Sequence, residues 1–139
     1  MHDADCYFDA DPNGFLIELL SDKPVATISA VRYGETFSFL GYYIVSPEHR
    51  GQGYGIQIWN AGLQYLAGQN IGLDGVVGQQ DNYRKSGFNL AYRNFRYEGI
   101  GGGNYTDGAD IVDLASLPFE TINFYDNPFF PADRSGFIK

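Results

Sequence analysis

The run Ile44-Val45-Ser46-Pro47-Glu48-His49-Arg50-Gly51-Gln52-Gly53-Tyr54-Gly55-Ile56-Gln57-Ile58-Trp59 passes from an apolar strand through a glycine-rich turn into a helix. Three glycines at alternate positions leave backbone N–H groups uncovered by side chains, and the positive end of the following helix adds to their field. Such a turn suits a diphosphate, and Arg50 sets a fixed cation at its rim. Glycines also make ordinary tight turns, so the flanking sequence has to separate the two readings. A dinucleotide fingerprint requires G-x-G-x-x-G, and a mononucleotide loop ends in Gly-Lys-Ser/Thr. This chain has G-x-G-x-G with no Gly-Lys-Ser/Thr after it.

Upstream of this turn, Phe15 to Leu20 reads as a strand, broken at Ser21-Asp22-Lys23-Pro24. Val25 to Tyr33 is a second strand, Gly34-Glu35 a hairpin connection, and Thr36 to Val45 a third strand rich in aromatic and β-branched residues. Downstream, Ile56, Trp59, Leu63 and Leu66 recur at three- and four-residue steps, which predicts a helix from Gln52 to about Ala67 with Trp59 and Leu63 toward the sheet. Gly68-Gln69-Asn70 ends it, and Ile71 to Val77 is expected to run parallel to the strand before the turn, because a crossover helix joins them. A short helix from Gln79 to Ser86, closed by Gly87, precedes a strand from about Leu90 to Glu98.

Beyond that point the pattern weakens. Gly101-Gly102-Gly103 with Asn104 reads as a loop, Asp110 to Leu117 as a strand edge, and Phe119 to Tyr125 as a final strand or a short helix. The expected organisation is an irregular leader over 1–14, one α/β domain with a mixed sheet over 15–125, and a tail or linker over 126–139.

A chain of 139 residues holds one core and not two. Its 11 Tyr, 11 Phe and 18 Gly favour aromatic strands joined by tight turns. A net charge of −8 and a pI near 4.4 argue against nucleic-acid or anionic-membrane partners and allow a cationic one. Cys6 is the single cysteine, which excludes an internal disulfide or a thiolate metal cluster. No apolar run approaches the roughly eighteen residues of a membrane span, and Met1-His2-Asp3-Ala4-Asp5 lacks a secretory pattern. A soluble, cytoplasmic protein is expected.

The pattern R-G-x-G-x-G, after a strand ending Val-x-Pro and before a helix, resembles the acyl-coenzyme A loop of the GNAT superfamily of N-acetyltransferases. The strand and helix order from Phe15 to Tyr97 is similar to the central part of that fold. A second phrase, Tyr83-Arg84-Lys85-Ser86-Gly87-Phe88, resembles the superfamily's closing motif. The resemblance implies acetyl-CoA or another acyl-CoA as co-substrate, direct transfer to a small-molecule or peptide amine, and no metal. It implies that Gly51, Gly53 and Gly55 admit the diphosphate, with Arg50, Gln52 and Tyr54 beside it. The backbone of Ile44 and Val45 would hold the pantetheine arm, and Tyr83 would act as general acid toward the departing thiolate. His49 is a weaker candidate for phosphate contact.

Several positions depart from the pattern. Val76 stands seven residues before Tyr83, where many relatives have a cofactor-contacting asparagine; Asn82, beside Tyr83, is the candidate in its stead. Thr36 to Val45 contains no carboxylate to serve as general base. The fold is also expected to lack the superfamily's usual N-terminal strand and helices. Phrases such as Tyr125-Asp126-Asn127-Pro128 resemble proteins with two such domains in tandem, so the chain would pair either with another copy or with a missing second domain. The departures keep open an alternative reading, a non-catalytic CoA-binding or regulatory module.

Overall fold

The computed structural model describes residues 3–100 and 111–139. The glycine run Gly101-Gly102-Gly103, Asn104 and the first residue of the expected Asp110 to Leu117 edge lie outside the described residues. The chain divides into two compact units, one of residues 1–74 and 118–139 and one of residues 75–117.

The larger unit is built on a four-stranded sheet in sequence order: β1 (Phe15–Leu20), β2 (Lys23–Tyr33), β3 (Phe37–Val45) and β4 (Asn70–Leu73). The first three strands are antiparallel neighbours, and β4 is parallel to β3, as the crossover helix requires. Ser21 and Asp22 both adopt positive φ, 49° and 64°, between the closing pair Leu20 and Lys23. That two-residue turn has the twist that antiparallel strands favour.

β2 is buried on both faces. Ala26, Ile28 and Ala30 alternate with Val25, Ser29, Val31 and Tyr33, and all are buried. Against the face of Ile28 packs α2 (Tyr54–Tyr65), whose buried residues are Ile58, Trp59 and Gly62, followed by buried Leu66. A Cβ on Gly62 would lie 3.3 Å from Ile28 Cδ1 and 3.5 Å from Leu40 Cδ2, so glycine sets how closely helix and sheet approach. The buried stripe is thus turned from the expected one: Ile56 is exposed, because Gly62, which carries no apolar side chain to count, occupies the centre of the contact.

The other face carries Val31, Tyr33 and Phe37, packed by Tyr7, Ala10, Phe15, Phe39, Phe130, Ala132 and Phe137. Two expectations fail here. The leader is not irregular: Asp3–Ala10 forms α1, with the acidic Asp5 in its first turn and Tyr7 and Ala10 three apart on the side that meets the sheet. One short helix therefore stands ahead of the first strand. The segment 126–139 is not a loose tail either, for α4 (Phe119–Asp126) leads through a 3₁₀ turn to α5 (Ser135–Ile138), and Phe130, Ala132 and Phe137 complete the core. Both segments are too short to display a period, and only burial reveals their role.

Asp11 joins the layers. Its carboxylate is buried and accepts the Arg32 backbone N–H at 3.0 Å and the Tyr65 hydroxyl at 3.0 Å from each oxygen. The Arg32 guanidinium lies 4.1 Å over the Tyr65 ring and donates to the Tyr65 carbonyl. Burial, then the Asp11 hydrogen bond, raise the Tyr65 phenol above its ordinary pKa.

The smaller unit contains a 3₁₀ turn over Val77–Gln79, α3 (Gln80–Lys85) and a second 3₁₀ turn over Leu114–Ser116. The expected strand from Leu90 to Glu98 does not form, and none of residues 111–117 is in a strand. Strand propensity alone does not order a segment that has no ladder to join. Ile71 to Val77 likewise shortens to Asn70–Leu73, the part that pairs with β3.

Candidate functional site

β3 carries the site. Its register against β2 runs Tyr33 to Phe37 through Ser29 to Gly41, then shifts so that Thr27 pairs with Ile44. One extra residue therefore sits in β3 between Gly41 and Ile44, and Tyr42 takes φ 45° there. The Thr27 hydroxyl donates to the Tyr42 carbonyl at 3.1 Å, and the Tyr42 ring meets the Tyr7 ring edge-on at 5.8 Å. A bulge of this kind bends a strand and re-aims the residues beyond it. On the opposite edge, the parallel ladder with β4 ends at the pair Leu40 and Leu73. Gly41 to Val45 thus continues past the end of that ladder, and this stretch includes Ile44 and Val45, the residues the resemblance singles out for a backbone role.

After Val45 the chain makes a 3₁₀ turn over Pro47–His49 and reaches the glycines. Gly51 has φ 74° and Gly53 φ 96°, left-handed conformations that disfavour any side chain. Gly53 is the N-cap of α2 and supplies no side-chain cap. The first intrahelical bond from this end runs from the Gln57 N–H to the Gly53 carbonyl at 3.1 Å. The N–H groups of Tyr54, Gly55 and Ile56 therefore lie ahead of the helical ladder, at the positive end of the dipole.

Gly55 serves another purpose. A Cβ there would fall 2.6 Å from the Tyr43 hydroxyl oxygen and 3.2 Å from Val45 Cγ2. Tyr43, whose ring also packs on Trp59 at 5.3 Å, presses against the first turn of α2. So two of the three glycines shape the backbone, and the third lets the helix seat on the strand.

The polar residues of the turn brace it. Arg50 Nε donates to the Val45 carbonyl at 3.1 Å, holding its exposed guanidinium beside the end of β3. Gln52 Nε2 donates to the Glu48 carbonyl at 2.9 Å. His49 Nδ1 lies 2.7 Å from Ser46 Oγ, and its ring meets Tyr54 edge-on at 6.0 Å. His49 is thereby engaged in fastening the turn.

Tyr83 and Asn82 lie together on α3, in the smaller unit. The Phe88 N–H bonds the Tyr83 carbonyl and the Gly87 N–H bonds the Arg84 carbonyl, both at 3.0 Å, with Gly87 at φ 92°. This is a Schellman helix stop, which gives Gly87 a structural reason of its own. Asn82 Nδ2 donates to Gln79 Oε1 at 2.6 Å, across the start of α3. Asp11 and Tyr43 carried no signal in the sequence beyond their residue types.

A strand with an inserted residue, a partner strand that stops short of it, and a glycine turn opening a helix give this mixed α/β sheet the architecture of the acyl-CoA N-acyltransferase fold. The chain belongs to the acetyltransferase (GNAT) family, whose model matches residues 1–88. It is 36% identical over 137 residues to holothin acyltransferase of a Pseudoalteromonas strain, a match that covers 99% of this chain and 47% of that protein. The chain thus spans about half the length of this relative. Among solved structures, it is similar to a candidate acetyltransferase of Pyrococcus horikoshii (TM-score 0.58, 22% identity, 64% of this chain and 32% of the other). It is also similar to Ard1 of Thermoplasma volcanium (TM-score 0.56, 21% identity, 64% of each chain). These likenesses establish the fold.

Proposed function

We propose that this chain carries an acyl-CoA-dependent N-acyltransferase, transferring an acyl group, with acetyl the first choice, directly to a small-molecule or peptide amine. The observation that carries the reading is the uncapped start of α2 behind two left-handed glycines, with Arg50 tied beside it. The residues fit the co-substrate's diphosphate: the N–H groups of Tyr54, Gly55 and Ile56 precede the helical ladder and offer donors there, and Arg50 offers a cation. Gln52 steadies the turn, and the backbone of Ile44 and Val45 holds the pantetheine arm. The relative named for acyl transfer to holothin supports the reaction class.

In this reading the Tyr83 phenol holds the proton that the departing thiolate takes up. Phe37–Val45 contains no carboxylate, so the acceptor amine loses its proton through desolvation or to water. Asn82 stands by Tyr83 as the candidate cofactor contact. The protein acts in the cytoplasm, and it completes its fold through the edge of β1 that β2 leaves open, with a second copy or with another domain of a longer protein.

Product detection with acetyl-CoA and an amine panel tests this. Tyr83→Phe should lower kcat and leave the KM for acetyl-CoA unchanged. Full turnover by the variant removes Tyr83 from its role, and the absence of product from every amine favours the second reading. That reading, a non-catalytic CoA-binding module, draws on the missing carboxylate of β3 and on Val76 in place of an asparagine.

A further inference from the structure

A cleft of about 410 Å³ opens between β1 and α2, lined by the strand segment from Phe15 through Ile17 to Glu18 and by Gln57, Ile58 and Ala61 on the helix. Its size falls within the range of small-molecule sites. Leu16 and Glu18 are two apart and project to the same face of the sheet, the face of their partners Ile28 and Ala26, over which α2 lies. Apolar side chains supply most of the walls, and Glu18 supplies the one formal charge.

That carboxylate is unusual, and its residue type alone gave no sign of it. Glu18 is half-buried, its Oε2 is shielded from solvent, and among the described residues it receives no hydrogen bond there and makes no ion pair. A shielded carboxylate oxygen without a donor is costly, and a donor-rich cation that meets the accessible side of the same carboxylate offsets part of that cost by compensating its charge. The net charge of −8 draws cations toward the protein as a whole.

We propose that this cleft binds a primary ammonium compound with an apolar body, the ammonium paired to Glu18 and the body lying on Leu16, Ile58 and Ala61. The cleft stands apart from the CoA reading, since none of its residues belongs to the glycine turn. Gln57 nevertheless comes soon after that turn: its Nε2 lies 3.7 Å from where a Gly53 Cβ would stand.

Titration calorimetry with 2-phenylethylammonium, and with 2-phenylethanol as its uncharged match, tests the site, alongside methyl NMR shifts of Ile58 and Ala61. The ammonium should bind saturably and move those methyls, and the alcohol should bind at least about tenfold more weakly, the loss of one charge-assisted hydrogen bond. Glu18→Gln should weaken the ammonium by a similar factor, and Ala61→Phe, a change at an exposed helix position, should abolish binding by filling the cleft. Equal affinity for ammonium and alcohol overturns the proposal. So does unchanged binding to a folded Glu18→Gln variant, shifts confined to other methyls, or no saturation at millimolar probe.

Discussion

Gly55 and Tyr43 are a coupled pair, and a mutant cycle measures the coupling. Gly55→Ala puts a methyl 2.6 Å from the Tyr43 hydroxyl, well inside contact distance, and 3.2 Å from a Val45 methyl that has only to yield slightly. Overpacking of this kind costs about 1–3 kcal/mol, offset by up to about 1 kcal/mol from alanine's better helix propensity. The single variant should lose about 1–2 kcal/mol. Tyr43→Phe removes the obstructing oxygen, so in that background Gly55→Ala should be neutral or stabilising by up to about 1 kcal/mol. The interaction energy is then about 1–3 kcal/mol in favour of the double variant. Urea unfolding monitored by circular dichroism, with a constant m-value across the four proteins, reads it directly. Additivity within about 0.5 kcal/mol would refute the assignment of Gly55 to helix seating.

Asp11→Ala should cost about 2–3 kcal/mol in urea unfolding, since the Arg32 N–H and the Tyr65 hydroxyl both lose their acceptor. Burial raises the Tyr33 phenol well above its ordinary pKa, reinforced by Tyr7 and opposed by Arg134. The folded state therefore keeps a proton that the unfolded chain releases near pH 10, so stability should be full below that pH and decline as it rises; Tyr33→Phe should flatten the alkaline limb. At the other end, the Arg134 hydrogen bond lowers the Asp126 pKa, against a smaller opposing effect of desolvation. That contribution is present above the ordinary carboxylate pKa and is lost as pH falls through the lowered folded value, and Arg134→Leu should remove it from acid titrations of stability.

The sheet and the glycine turn were legible because their signals are local. Strand runs, a break at Ser21-Asp22-Lys23-Pro24 and a crossover helix marked β1 to β4 and their order, although Lys23 and Pro24 belong to β2 and the turn itself is only Ser21-Asp22. The ends were not legible. α1 and the Phe130 to Phe137 segment have meaning only against Val31, Tyr33 and Phe37, residues far away in sequence. The strand expected at Leu90 to Glu98 erred the other way, with propensity present and no ladder to join. Within the site, a run of three glycines reads as one feature in sequence. The structure separates them into two that bend the backbone and one that admits a tyrosine, because only three dimensions bring Tyr43 to Gly55. Likewise Gly87 reads as part of a motif and is also a helix stop in its own right.

The central claim is that the first N–H groups of α2 hold a diphosphate, and calorimetry on the wild type and a glycine variant tests it. Dephospho-coenzyme A, which carries the diphosphate and its adenosine, should bind at least about 100-fold more tightly than pantetheine, which lacks both, with one or two charge-assisted hydrogen bonds to the diphosphate enough for that factor. Gly53→Val, which cannot hold φ 96° without strain, should erase most of that difference. Equal affinity for the two compounds, or a Gly53→Val variant that still tells them apart, would contradict the account.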